Sequence, residues 1–127
     1  MGKRLTGKAL KPFEELLAFI DQASEQKDTA AMMSCFVSEN DIISFGHTAS
    51  LNSRSELEQH WKNYFKDHTP DYSRKRTVVV YQSGSAACMC ITQYFEETQS
   101  KTERITLFLE NHHGQWLIRH RHHSPCP

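Results

Sequence analysis

The run Gly114-Gln115-Trp116-Leu117-Ile118-Arg119-His120-Arg121-His122-His123-Ser124 carries the densest set of chemically able groups in this sequence. Residues i, i+2 and i+4 of an extended strand share a face. The pattern therefore predicts Trp116, Ile118, His120, His122 and Ser124 on one side, with Gln115, Leu117, Arg119, Arg121 and His123 on the other. The first set grades from apolar to polar, as the wall of a pocket for a small polar-tipped ligand would. His120 and His122 are then the candidate proton carriers, because imidazole ordinarily titrates near neutral pH. The alternative is a structural pair, hydrogen-bonded across the sheet or at a dimer contact. His-x-His on a strand is also a metal-ligand spacing to which His47 could add a third nitrogen, but a closed zinc site wants a fourth ligand.

Arg104 shares its parity with Thr106 and Phe108 and is the candidate anion anchor, since a guanidinium can take a carboxylate bidentately. An ion pair with Glu96, Glu103 or Glu110 is its alternative role. Tyr94 could complete the lining, but Ala86-Cys88-Cys90-Thr92-Tyr94 and Ala87-Met89-Ile91-Gln93-Phe95 are both half apolar, so the pattern leaves that strand's inner face open. Apolarity on both sides predicts one face against helices and the other against a second subunit, hence a homodimer through the sheet. Trp61, Tyr64 and Phe65 recur at helical spacing and are packing groups; Trp61 and His47 join Trp116 and Tyr94 as candidates for the ligand-binding lining. Of the four cysteines, Cys88 and Cys90 would sit about 6.6 Å apart along one strand face, too stretched for an easy disulfide. All four read as reduced thiols. No dinucleotide loop, phosphate loop or serine-nucleophile elbow is present.

The elements that must position these groups follow from periodicity. Pro12, Phe13, Leu16, Leu17 and Ile20 predict an amphipathic helix over 12–26. Asp28 is a candidate N-cap for a second helix of about two turns bearing Met32, Met33, Phe36 and Val37. Ile42, Ile43 and Phe45 before Gly46 predict a short strand. Ser53 with Glu56, or Ser55 with Glu58, would cap a third helix carrying Leu57, Trp61, Tyr64 and Phe65, ended by Thr69-Pro70. The period then changes to two, with strands over 73–82, 85–97, 102–110 and 115–124 separated by Ser83-Gly84, Thr98 to Lys101 and Asn111 to Gly114. Three helices before an antiparallel meander predict an α+β fold with helices over one face of a curved sheet. Residues 1–11 read as a basic flexible leader and 12–127 as a single domain. Fifteen basic against 15 acidic residues exclude a counterion-release partner such as nucleic acid. No apolar run nears the ~20 residues that cross a bilayer, and the basic N-terminus lacks an apolar core for export, so a cytoplasmic location is expected.

The element order and three stretches, Asp28 to Phe36, Arg104-Ile105-Thr106 and the Gly-x-Trp-x-Ile-x-His-x-His-x-Ser last strand, resemble the nuclear transport factor 2-like superfamily. That superfamily includes SnoaL-like polyketide cyclases, ketosteroid isomerases and the association domain of calcium/calmodulin-dependent kinase. The resemblance implies a cone-shaped curved antiparallel sheet wrapped around three N-terminal helices, enclosing a small-molecule pocket, with neither cofactor nor metal. Activity, if any, would be cofactor-free isomerisation, cyclisation or hydrolysis; the alternative is non-catalytic ligand binding or oligomerisation, like the kinase association domain. The isomerase's tyrosine, base and hydrogen-bond donor fall on Ile20, Ser44 and on or near Thr106. None of those groups is retained, so that mechanism is not available in place.

Overall fold

Phe13, Leu17 and Ala23 are the buried residues of α1 (Lys11–Glu25), which carries Pro12 in its first turn, where a missing N–H costs no hydrogen bond. The structure, a computed structural model, describes residues 2–46, 49–68, 74–95 and 102–126. Lys27 takes a left-handed φ of 53° and turns the chain out of α1. Asp28 then caps α2 (Thr29–Met33), its side chain accepting from the Ala31 N–H at 3.0 Å. This helix is shorter than the two turns its apolar pattern suggests: Phe36 leaves it to bridge Ile118 of the sheet. Ser53 caps α3 (Arg54–Asp67), accepting from the Glu56 N–H at 3.2 Å, so Ser53–Glu56 is the capping pair in use. Arg54, first residue of α3, donates to the carbonyls of Val37 (2.6 Å) and Met33 (3.2 Å), tying α3 to the end of α2.

The sheet comprises β1 (Lys3–Arg4), β2 (Ile43–Phe45), β3 (Ser50–Leu51), β4 (Arg74–Ser83), β5 (Ala86–Phe95), β6 (Thr102–His112) and β7 (Gln115–Cys126), in the spatial order β1-β4-β5-β6-β7-β2-β3. The expected meander is its centre. Two-residue strands extend both edges, and β2 runs parallel to β7, as does the isolated Phe36–Ile118 bridge; the other described pairings are antiparallel. Within the stretch expected to be a flexible leader, Lys3 and Arg4 pair with Gln82 and Tyr81, and Gly7–Leu10 form a 3-10 turn. The core lies between helices and sheet, its most enclosed large side chains including Phe13, Ile42, Leu57, Met89, Leu109 and Ile118. No helix among the described residues is long and apolar enough to cross a membrane.

The pairing of β6 with β7 shifts by one residue: Phe108 faces His120, but Leu109 faces Ile118, leaving Arg119 as an extra residue. An extra residue in one strand is a β-bulge, and it reverses which face the subsequent side chains occupy. The Arg119 guanidinium anchors this irregularity. It donates to Glu110 Oε1 through Nε (3.2 Å) and Nη2 (2.9 Å), to Glu39 Oε1 (3.0 Å), and through Nη1 to the Asp41 carbonyl (2.7 Å). The hydrogen bonds from Arg119, and then from His112, hold the Glu110 carboxyl below its ordinary pKa. A carboxyl depressed in the folded state stabilises the fold above its unfolded pKa, and that stability is lost as pH falls through the folded value. Glu110→Gln is expected to lose about 1 kcal/mol at pH 7. In urea unfolding from pH 7 to 3, the gap to the unsubstituted chain should close as Glu110 itself protonates; a gap independent of pH counts against the clamp.

Candidate ligand-binding cavity

Strand register lays the inner side of the sheet out in transverse rows. Arg76, Gln93 and Glu103 form the outermost of three, followed by Val78, Ile91, Ile105 and His123, then by Val80, Met89, Leu107 and Arg121. Below these rows, before the bulge, Ile118 faces Leu109. A cavity of about 650 Å³ opens between this wall and the helices, which contribute Leu17, Ile20, Asp21, Met32, Trp61 and Tyr64 among others. Its volume is that of a small-molecule site.

The bulge decides which β7 groups enter. After Arg119 the odd-numbered residues face inward, so Arg121 and His123 line the cavity. His120 and His122, expected on the same side as Trp116 and Ile118, stand on the opposite face. There the His120 Nδ1 donates to the Ile43 carbonyl at 2.9 Å, and both rings meet Phe45 edge-on. Arg104 and Tyr94 are exposed, and their registers with Ser124 and Thr102 place them on that outer face as well. Trp116 faces inward but packs on Phe13 at 5.0 Å and lines a separate groove of about 290 Å³ beside α1. His47 lies outside the described residues. Of the residues expected to line the site, Trp61 does so.

Arg121 is the exceptional group. It shares its row with Val80, Met89 and Leu107, each no more than 2% exposed, and its guanidinium carbon lies 5.6 Å from the Trp61 ring centroid, within cation–π range. Among the described residues it has no hydrogen bond or ion pair. Burial pulls its pKa down to about 10, partly offset by Glu103 and Tyr64, so at neutral pH it remains a cation. The same burial, then the charge of Arg121, lowers the pKa of His60 on α3.

The other charged groups at the wall are paired. Glu103 accepts from Gln93 Nε2 at 3.2 Å and lies 3.0 Å from His123 Nε2, an ion-pair contact without hydrogen-bond geometry at that nitrogen. Arg76 forms a two-point ion pair with Asp21 of α1, which Arg74 approaches at 3.6 Å. Three arginines against two carboxylates leave the lining with one excess cation, histidines aside. The chemistry available is anion capture at Arg121, apolar contact above it, and an acid/base pair in His123 and Glu103. Position, not residue type, concealed the inward pair: Arg121 and His123 were visible in the sequence but assigned to the other face.

A curved sheet closing such a cavity against three N-terminal helices is the cone architecture of cystatin-like, nuclear transport factor 2-like proteins. The chain belongs to the SnoaL-like domain family, whose model matches residues 14–127. A cystatin-like fold protein of Burkholderia xenovorans superposes with a TM-score of 0.79 at 16% identity, covering 100% of both chains. A nuclear transport factor 2-like protein of unknown function from Pseudomonas putida gives 0.75 at 19% identity, covering 94% of this chain and 88% of that one. A Thiobacillus denitrificans protein named for the calcium/calmodulin-dependent protein kinase type II association domain gives 0.74 at 13% identity, covering 90% and 94%. At these identities the likeness shows the fold. No curated protein matches the sequence.

Arg121 is half-buried, and its guanidinium opens to the cavity without a hydrogen-bond partner among the described residues; a charge held against apolar side chains costs stability unless something bound supplies its partner. Arg121→Met, which keeps most of the side-chain volume, is therefore expected to raise stability by about 1 kcal/mol in ligand-free protein, read from urea and thermal unfolding. Destabilisation of similar size would mean that Arg121 is a structural group.

Proposed function

We propose that the chain is a small-molecule-binding domain whose cavity takes an organic anion, a carboxylate being the best-matched head group. The observation that carries this reading is the cationic guanidinium of Arg121, set in an apolar row of the cavity wall with no anion at ion-pair distance among the described residues. A carboxylate reaching it would gain a charge-assisted, bidentate contact in a medium where such contacts are strong. The ligand's apolar body would lie along Ile91, Ile105 and Phe36. Trp61, under the guanidinium, makes intrinsic fluorescence a reporter. Benzoate is expected to quench it saturably and benzyl alcohol not to, with Arg121→Met weakening benzoate binding at least tenfold. Equal binding of acid and alcohol, or of the variant and the unsubstituted chain, would sink the proposal.

The His123–Glu103 pair favours a second reading, cofactor-free proton transfer on the bound anion, as in an isomerase, cyclase or hydrolase. Here His123 takes the role that strand alternation assigned to His120 and His122. An imidazole beside a carboxylate is the usual form of a protein general base. Its test is deuterium wash-in beside the carbonyl of phenylpyruvate in D2O, lost in His123→Gln while benzoate binding persists; binding without exchange leaves a pure binding domain.

The outer sheet face is proposed as a homodimer surface. Its exposed large side chains include Tyr81, Phe108, Ile43 and Phe45, and register carries the first three, with Cys88 and His120, across the sheet in one row. Sedimentation should give a dimer that Phe108→Glu converts to monomer; a monomeric parent protein removes the reading.

A further inference from the structure

Cys88 and Cys90 stand on the outer face of β5, a strand bonded to β4 on one side and β6 on the other. Both are half-buried. Cys88 lies between Tyr81 and Phe108 in one row, and Cys90 between Val79 and Thr106 in the next. Their Sγ atoms are 3.9 Å apart, so the two side chains converge. Neither thiol borders the cavity.

That geometry disfavours one reaction of a thiol pair and suits another. A disulfide needs Cβ atoms about 3.8 Å apart, whereas alternate residues of a strand are about 6.6 Å apart, and pairing on both flanks resists the collapse. Two thiolates each about 2.3 Å from one tetrahedral ion stand about 3.8 Å from each other. The pair already has nearly that separation, in a strand too constrained to lose it.

We propose that Cys88 and Cys90 form a two-thiolate half-site for a thiophilic divalent ion of the zinc and cadmium class. Two metal–sulfur bonds form, two thiol protons pass to solvent, and no oxidant or reductant is consumed. Among the described residues no group of three or more metal-ligating side chains is assembled. The remaining coordination positions therefore fall to water, or to the same pair of a second copy facing this sheet. Burial, and then Cys90 beside it, also raises the Cys88 thiol, so the ion must displace that proton as it binds; Cys35 supplies an internal contrast in access, being buried where the pair is half-buried.

The test is a cadmium titration of the reduced, metal-free Cys126→Ser chain at pH 7.5, following the ultraviolet thiolate–cadmium charge-transfer band and the protons released. Two thiolates and two protons per ion are expected at one ion per chain if water completes the site. Four thiolates and four protons per ion, at one ion per two chains with a matching rise in mass, are expected if a second copy does. Cys88→Ser and Cys90→Ser should each weaken binding at least a hundredfold, with circular dichroism unchanged. Peptide mapping of the unsubstituted chain needs no variant: cadmium should protect Cys88 and Cys90 from iodoacetamide together, with Cys35 unlabelled throughout. Absence of the band, a band that survives both serine substitutions, or protection of one thiol alone overturns the proposal.

Discussion

One extra residue in β7 governs what the cavity contains. Without Arg119 out of register, strand alternation would continue from Trp116 and Ile118 to His120 and His122, and two imidazoles would face the helices. The bulge instead turns Arg121 and His123 inward. An irregularity of this kind persists only where something holds it, and here a guanidinium on the bulged residue spans β6 through Glu110 and the chain entering β2 through Glu39 and the Asp41 carbonyl. The clamp is polar and partly solvated, outside the packed core, yet it sets the chemistry of the interior.

Local rules were sufficient for most of the fold. Pro12 in the first turn of α1, Asp28 and Ser53 as caps, and the change of period after Pro70 each act over a few residues, and the main elements formed where those signals predict. The two-residue strands β1 and β3 carry no periodicity to detect. The parallel seat of β2 beside β7 is a tertiary choice that no residue near Ile43 announces. The site was least legible. A bulge in Leu117-Ile118-Arg119-His120-Arg121-His122-His123 replaces one polar residue facing inward with another, so no apolar residue is misplaced to betray the shift. Strand alternation favours His120 over Arg121 as the wall residue; only the pairing with Phe108 and Leu107 reverses that choice.

Arg121 also shows why stability and purpose need not coincide. Its row mates Val80, Met89 and Leu107 make a wall that an aliphatic side chain would complete at no electrostatic cost. The guanidinium instead sits against Trp61, with Glu103 and Tyr64 acting only at a distance. The charged groups nearer the rim behave differently, since Arg76 lies against Asp21 and His123 against Glu103. Pairing at the rim and a lone cation within concentrate the field of the cavity at one atom group, where a bound anion would feel it most.

The layering of the inner wall has a consequence for inheritance. In the two rows inward of the polar one, β4, β5 and β6 contribute only aliphatic side chains and methionine, while β7 contributes one ionisable group to each. Packing is thus encoded on three strands and the ionisable groups of these rows on a fourth. Substitutions at two alternate codons would change the charge of the inner wall without revising the hydrophobic frame. A scaffold partitioned in this way can change its interior chemistry while its architecture stays constant, as one shape that serves unrelated tasks must.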